Sequence, residues 1–317
     1  MNKVLNYSEL IEKYPWILQE KQNVIISPDI DGFLCGLFMS HYYNWNIVGF
    51  YDGKQMLIQQ NIKIEDCIFL DMEILRKNIK SCGRHMIIYN INNVPPSLYE
   101  NLSNCINPNF IRKFDACHNF PKKYPFAMIH FLLCIVGTID NKNILVDKTS
   151  IPVLLYVDGT FKNLLNYPEN CVEWLNFLNA KQSDSPIYPI YVLFANRKLA
   201  EMIHELEFLF KEFEKIGEGT SGDKFKISEA KINYGEPSFS SIKKLKMILT
   251  LLSNYTNWNF CPDKWTTSNF KIYNFTKKIE ETLNNKKFGR IIGDNPISLA
   301  ITATKRIEYT LPIPDDL

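Results

Sequence analysis

The chain has 317 residues, a length that suits two domains of ordinary size. Its 46% hydrophobic and 22% charged residues are the composition of a soluble globular protein. A net charge of +2 excludes an overwhelmingly basic surface, although a local basic patch stays compatible with nucleic-acid binding.

The elements follow from the apolar pattern in chain order. Residues 1–22 form a short helical lead-in, broken at Tyr14-Pro15-Trp16. Residues 24–27 are a first strand, 34–43 a helix, and 46–51 a second strand. A helical turn is expected over 54–60, a third strand over 67–70 ending at Asp71, and a helix over 73–81. His85 opens a fourth strand, 85–89, that ends at Asn90. Strands alternating with short helices predict an α/β fold with a parallel, doubly wound sheet.

Polar loops follow at 90–96 and 104–109, then a buried helix within 123–137 and two helices at 151–167 and 171–179 separated by Pro168. Lys181-Gln182-Ser183-Asp184-Ser185-Pro186 reads as a linker, which divides the chain into residues 1–180 and 187–317. The second part is expected to be a smaller α/β or α+β domain that binds a substrate or partner. It holds an amphipathic helix over 197–216, a flexible loop over 217–223, a lysine-bearing helix over 240–255, and strand-like runs around the polar loop Gly293-Asp294-Asn295-Pro296.

The eight cysteines include no CxxC pair, and several lie in apolar runs, as reduced thiols in a cytoplasmic protein do. There is no amino-terminal apolar h-region and no run of 18 apolar residues, so neither secretion nor membrane spanning is expected.

The chemistry concentrates where the first strand ends, in Ser27-Pro28-Asp29-Ile30-Asp31-Gly32. In an α/β sheet this is the carboxyl edge, where ligands bind. In an extended segment, residues two apart point to the same side, so Asp29 and Asp31 converge on one hard divalent cation. The same residues are also good turn chemistry. The apolar runs on both sides favour the site. Asp71, Asn90 and Asn92 are expected at the same edge, and Asp158 in Val157-Asp158-Gly159 is a fourth candidate carboxylate.

With these residues in view, roughly residues 20–165 resemble the DHH phosphoesterase superfamily, which includes RecJ-type exonucleases, nanoRNases, cyclic-dinucleotide phosphodiesterases and manganese pyrophosphatases. Ser27-Pro28-Asp29-Ile30-Asp31-Gly32 is similar to its first motif, Asp71 to its second aspartate, and residues 154–161 to its later metal-binding segment. The departures are specific. Ser27 stands where the family has a further His or Asp ligand. Asn90-Ile91-Asn92 stands in the slot of the Asp-His-His triplet, and there is no Gly-Gly-His motif.

The resemblance implies metal-assisted hydrolysis of a nucleotide or oligonucleotide, with Mn²⁺ or Mg²⁺ held by Asp29, Asp31, Asp71 and Asp158. Asp31 and Asp71 carry the catalysis, and Lys54 and Arg84 meet the phosphate. Asn90, Asn92 and His118 are accessory ligands at most, so one well-bound ion is expected. The alternative is a catalytically inactive relative that binds a nucleotide, a nucleic acid or a protein partner. No membrane partner is expected, and the sequence leaves homo-oligomer formation open.

Of the other histidines, His130 lies in an apolar helix and reads as a satisfied core residue, while His85 faces either the site or solvent. Lys243, Lys244, Lys246, Lys264, Lys271, Lys277 and Lys278 lie near Trp258, Trp265 and Phe270 in sequence. Lysines with aromatics can hold single-stranded nucleic acid, but a solvated helix face over an aromatic core explains them more simply.

Overall fold

The computed structural model describes residues 4–139, 144, 146–196, 199–216 and 239–312. Helix α1 (Tyr7–Lys13) and a 3₁₀ turn (Pro15–Leu18) lead into β1 (Asn23–Ile26), α2 (Ile30–Tyr43) and β2 (Asn46–Tyr51). Then come β3 (Gln55–Gln59), β4 (Cys67–Leu70), β5 (Lys80–Cys82), α3 (Pro96–Asn101), β6 (Cys105–Ile106) and α4 (Pro108–Ile111). A helical stretch follows: α5 (Met128–Ile139), α6 (Ile151–Tyr156), α7 (Thr160–Asn166), α8 (Pro168–Phe177), α9 (Tyr188–Asn196), α10 (Leu199–Ile216) and α11 (Phe239–Thr256). The chain closes with β7 (Phe270–Glu280), α12 (Asn285–Gly293), β8 (Ser298–Ala303) and β9 (Arg306–Pro312). The expected loop at 217–223, and Arg197 at the start of the expected helix, lie outside the described residues.

Among the described residues the strands form one sheet in the order β6-β5-β4-β1-β2-β3-β7-β9-β8. From β6 to β2 every neighbour is parallel; from β2 to β8 every neighbour is antiparallel. The fold is therefore mixed α/β, and the expected all-parallel sheet holds for one half only. Helices α2 and α5 are buried almost all round, which suits their near-continuous apolar sequence. The main apolar core draws residues from both sides of residues 181–186, and the β3–β7 pairing carries the sheet across that stretch.

Three local expectations are corrected. Residues 54–60 form no helical turn. Asp52 Oδ1 accepts from the Lys54 and Gln55 amides at 2.8 Å each, and Gly53 takes φ +85°, so the chain reverses and β3 pairs antiparallel with β2. The expected 73–81 helix is absent because its amides bond elsewhere: Leu75 N donates to Ile297 O, and Ile74 N to Ser81 Oγ. The expected strand over 85–89 is displaced to β5. Met86 N is spent on the Glu73 carboxylate, and the stretch keeps a single bridge, between Ile88 and Asp115.

Two glycines mark close approaches that bring the strand ends together. A Cβ at Gly32 would lie 2.1 Å from Ser27 O, and one at Gly83 would lie 2.6 Å from the Met72 carbonyl carbon. Both clashes are with backbone, which cannot give way cheaply. Gly289, in α12, has nothing within 4 Å of such a Cβ. Gly83→Ala is expected to cost about 1–3 kcal/mol of unfolding free energy, whereas Gly289→Ala is expected to gain up to about 1 kcal/mol. Urea denaturation of the two variants checks this, and equal effects would contradict the close approach at Gly83.

Candidate metal centre

The parallel strands end level with one another. Ile26 pairs with Leu70 and Leu70 with Cys82, so residues 27–29, Asp71 and residues 83–85 leave the sheet side by side at its carboxyl edge. Asp29 is the N-cap of α2, with φ −140° and ψ 179°, and its Oδ1 accepts from Gly32 N at 3.2 Å. The chain turns helical at Ile30, so the extended geometry that would point Asp29 and Asp31 to one side ends between them. Asp31 instead reaches the start of α5, where Oδ2 accepts from Met128 N at 2.6 Å and Oδ1 from Ile129 N at 3.0 Å. A helix N-terminus is a natural seat for a buried carboxylate.

Asp71 follows β4 in the left-handed region, at φ +62°. The Ser27 hydroxyl lies 2.6 Å from its Oδ2 and 3.0 Å from Asp29 Oδ1. One hydroxyl proton serves one acceptor at a time, so these two carboxylates share it. His85 Nε2 stands 3.2 Å from Asp71 Oδ1. Asp158, also left-handed at φ +50°, enters from the turn between α6 and α7. Asparagine and aspartate tolerate this conformation better than most residues, and such positions gather at functional sites.

Asp71, His85 and Asp158 each offer a ligand atom, and these atoms lie within 4.8 Å of one another. Two carboxylates and an imidazole are a donor set that can hold a metal ion. Asp29 and Asp31 stand outside this group.

Arg84 supplies the cluster's fixed positive charge. Its terminal nitrogen contacts Asp158 Oδ2, and its Nε lies 3.8 Å from Asp31 Oδ2. Burial, and then the charge of Asp71, push the Asp31 carboxyl well above the usual carboxylate range, against the pull of Arg84. On the other side of His85 lie Lys123 and Glu73. Lys123 Nζ donates to His85 O at 2.6 Å and to Ile301 O at 3.3 Å, which ties β8 to the site. Burial, then the charge of Arg84, bring Lys123 down from 10.5 to about 8, while Glu73 pulls it the other way. Glu73 is buried, accepts from Met86 N at 3.1 Å, and is raised by that burial.

A cleft of about 790 Å³ opens beside the group. Ser27, Asp29, Asp71 and His85 line it, together with Lys54, Lys277 and Thr310. Lys277 is paired with Glu308 at 2.8 Å. Lys54 is exposed and lies where a phosphate could meet it, whereas Arg84 does not line the cleft and is engaged with carboxylates. Asn90 and Asn92 lie outside it, bonded to each other (Asn92 N to Asn90 Oδ1, 3.0 Å). His118 Nδ1 is 2.8 Å from Asp115 Oδ2, whose other contact is Ile91 N; the pair anchors that loop and is not in the Asp71 group. Trp258, Trp265 and Phe270 are buried, so they offer no stacking faces to bases. His130 is buried, with Nε2 3.1 Å from Leu154 O, as a core histidine.

No family model, no curated protein and no solved structure matches the chain. The sequence reading left His85 undecided and gave no role to Glu73 or Lys123. The usable signal was Gly83-Arg84-His85, three chemically unlike residues directly after the short strand β5. Misplacing that strand at 85–89 hid it.

Lys123 gives a test of the site's electrostatics. Below pH 8 the folded and unfolded chains both hold its proton. Between about 8 and 10.5 the unfolded chain holds a proton that the folded one lacks, so stability rises with pH in that window. The unfolding free energy of wild type, minus that of Lys123→Met, is therefore expected to increase from pH 7 to pH 10. Urea titrations at each pH measure it, and a flat difference would show an ordinary lysine.

Proposed function

We propose that this chain is a divergent DHH-like, metal-dependent phosphoesterase of the cytoplasm that acts on a nucleotide or short oligonucleotide. The observation that carries the reading is the convergence of Asp71, His85 and Asp158 at the carboxyl edge of the parallel strands, beside a cleft that Lys54 also lines. The mixed oxygen and imidazole donors favour Mn²⁺, with Mg²⁺ second. The strand order adds support. The strand after Asp71 is β5, and Gly83-Arg84-His85 follows it directly, so a histidine stands at the same sheet edge as Asp71 even though Asn90-Ile91-Asn92 lacks one.

When bound, such an ion lowers the pKa of a coordinated water and polarises a phosphoryl oxygen. The chain's own groups do the rest. Asp71 and His85 face the cleft and orient the reacting water. Ser27 holds Asp29 and Asp71 in register through its shared proton. Lys54 meets a non-reacting phosphate oxygen. Asp31 sets the start of α5 and acts through Arg84 rather than on substrate.

A second reading is a nucleotide-binding protein without turnover. It is favoured by one observation: Arg84 already neutralises Asp31 and Asp158. One experiment separates the two. Protein equilibrated with Mn²⁺ is expected to hold one ion per chain. Asp71→Asn and His85→Ala are each expected to weaken Mn²⁺ binding by about tenfold or more, at least the loss seen on removing a ligand's supporting group. Short oligonucleotides, cyclic dinucleotides and pyrophosphate are then assayed with Mn²⁺, with weak turnover expected that disappears in Asp71→Asn. Tight nucleotide binding with no turnover would replace the first reading with the second.

A further inference from the structure

We propose that Arg84 is a built-in counter-cation that limits the carboxylate cluster to a single divalent ion, so that removing its charge opens a second cation site between Asp31 and Asp158. The inference rests on reading Asp71, His85 and Asp158 as a metal centre.

Water cannot compensate these acids. The side chains of Asp31, Asp71 and Asp158 are 0%, 1% and 5% exposed. Compensation must come from fixed charge and fixed dipoles, because an unpaired buried carboxylate is strongly disfavoured. Asp31 has two amides at the start of α5. Asp158 has the Arg84 guanidinium. Arg84 is itself only 12% exposed.

Its position decides the outcome. The guanidinium contacts Asp158 and its Nε lies 3.8 Å from Asp31, so it occupies the space in which one ion would join those two carboxylates. A divalent ion there would have to displace it or sit against it, and two cations at such a distance repel strongly where water is scarce. The Asp71–His85 side has no such obstruction from an arginine. His85 can bind as the neutral imidazole, and the Asp71 and His85 side chains line the open cleft. With Arg84 in place, one divalent ion leaves the four carboxylates Asp29, Asp31, Asp71 and Asp158 with a single negative charge to be met by hydrogen bonds.

Arg84 is thus a positioning and selecting residue, and metal stoichiometry reads it directly. Calorimetric titration with Mn²⁺, backed by metal analysis after dialysis, is run on wild type, Arg84→Gln and Arg84→Lys. One ion in wild type, two in Arg84→Gln and one in Arg84→Lys is the expected result, since lysine restores the charge without the fork. One ion in both wild type and Arg84→Gln would overturn the inference and leave the metal centre standing. Two ions in wild type would also overturn it. No ion in wild type but one in Arg84→Gln would overturn the metal reading while upholding Arg84 as the cluster's cation. No ion in either overturns both. If Arg84→Gln does not fold alone, it is refolded with Mn²⁺. Recovery of a cooperative melt, with a Mn²⁺-dependent rise in Tm larger than that of wild type, is expected. Failure of Mn²⁺ to restore it would count against the inference.

Discussion

Negative charge gathered at one sheet edge is the constraint on which the rest of this structure depends. Parallel strands ending level place Asp29, Asp71 and the residues after β5 together, and α2 adds Asp31 from its first turn. Such a cluster folds only if each carboxylate finds a partner that is cheaper than water was. The chain meets this with three different devices. A helix start receives Asp31, a hydroxyl is shared by Asp29 and Asp71, and a guanidinium joins Asp31 to Asp158. Each device fixes an element. Asp31 sets where α5 begins, Arg84 draws the α6–α7 turn to the sheet, and Gly83 is the residue that lets Arg84 start from so close to the chain after β4.

The same logic extends one layer back. Glu73 and Lys123 are a buried acid and a buried base that would each be costly alone. Glu73 accepts from Met86 N, Asn107 donates to Met86 O and Lys123 donates to His85 O, so the backbone that carries His85 is held by groups outside the Asp71 group. Because Lys123 also donates to Ile301 O, the wall built by β7, β9 and β8 is coupled to the position of His85. The geometry of the candidate centre and the width of the cleft are therefore not independent. A change in one strains the hydrogen bonds that set the other.

Much of the parallel half was legible, because β1, α2, β2 and β4 carry long apolar runs bounded by turn residues. The antiparallel half was not. Its strand β3 is five residues long and is specified by the Asp52-Gly53 turn, which competes with a helical reading of the same segment. Strand β5 has only three residues, too few for periodicity to find, while residues 85–89 look more strand-like and yet spend their amides elsewhere. The extended geometry expected of Asp29 and Asp31 ends for a related reason. A rule that holds within a strand was carried one residue past a helix N-cap. Asp158 was visible as a lone acid after apolar residues, but its partner Arg84 lies far away in sequence, and nothing local announces a contact of that range.

The number of donors bears on what kind of centre this is. A cation that only cements a fold is closed off by protein ligands, as a four-ligand structural site is, whereas one that works on a substrate keeps positions for water. Asp71, His85 and Asp158 supply three donors, and two of those residues face a cleft of about 790 Å³. Asp29 and Asp31, which could have filled the remaining positions, are turned to a helix cap and a helix start instead. The arrangement thus keeps acids close enough to attract a cation while withholding the ligands that would seal it. That division leaves the candidate group open on the cleft side, while Arg84 holds its buried flank.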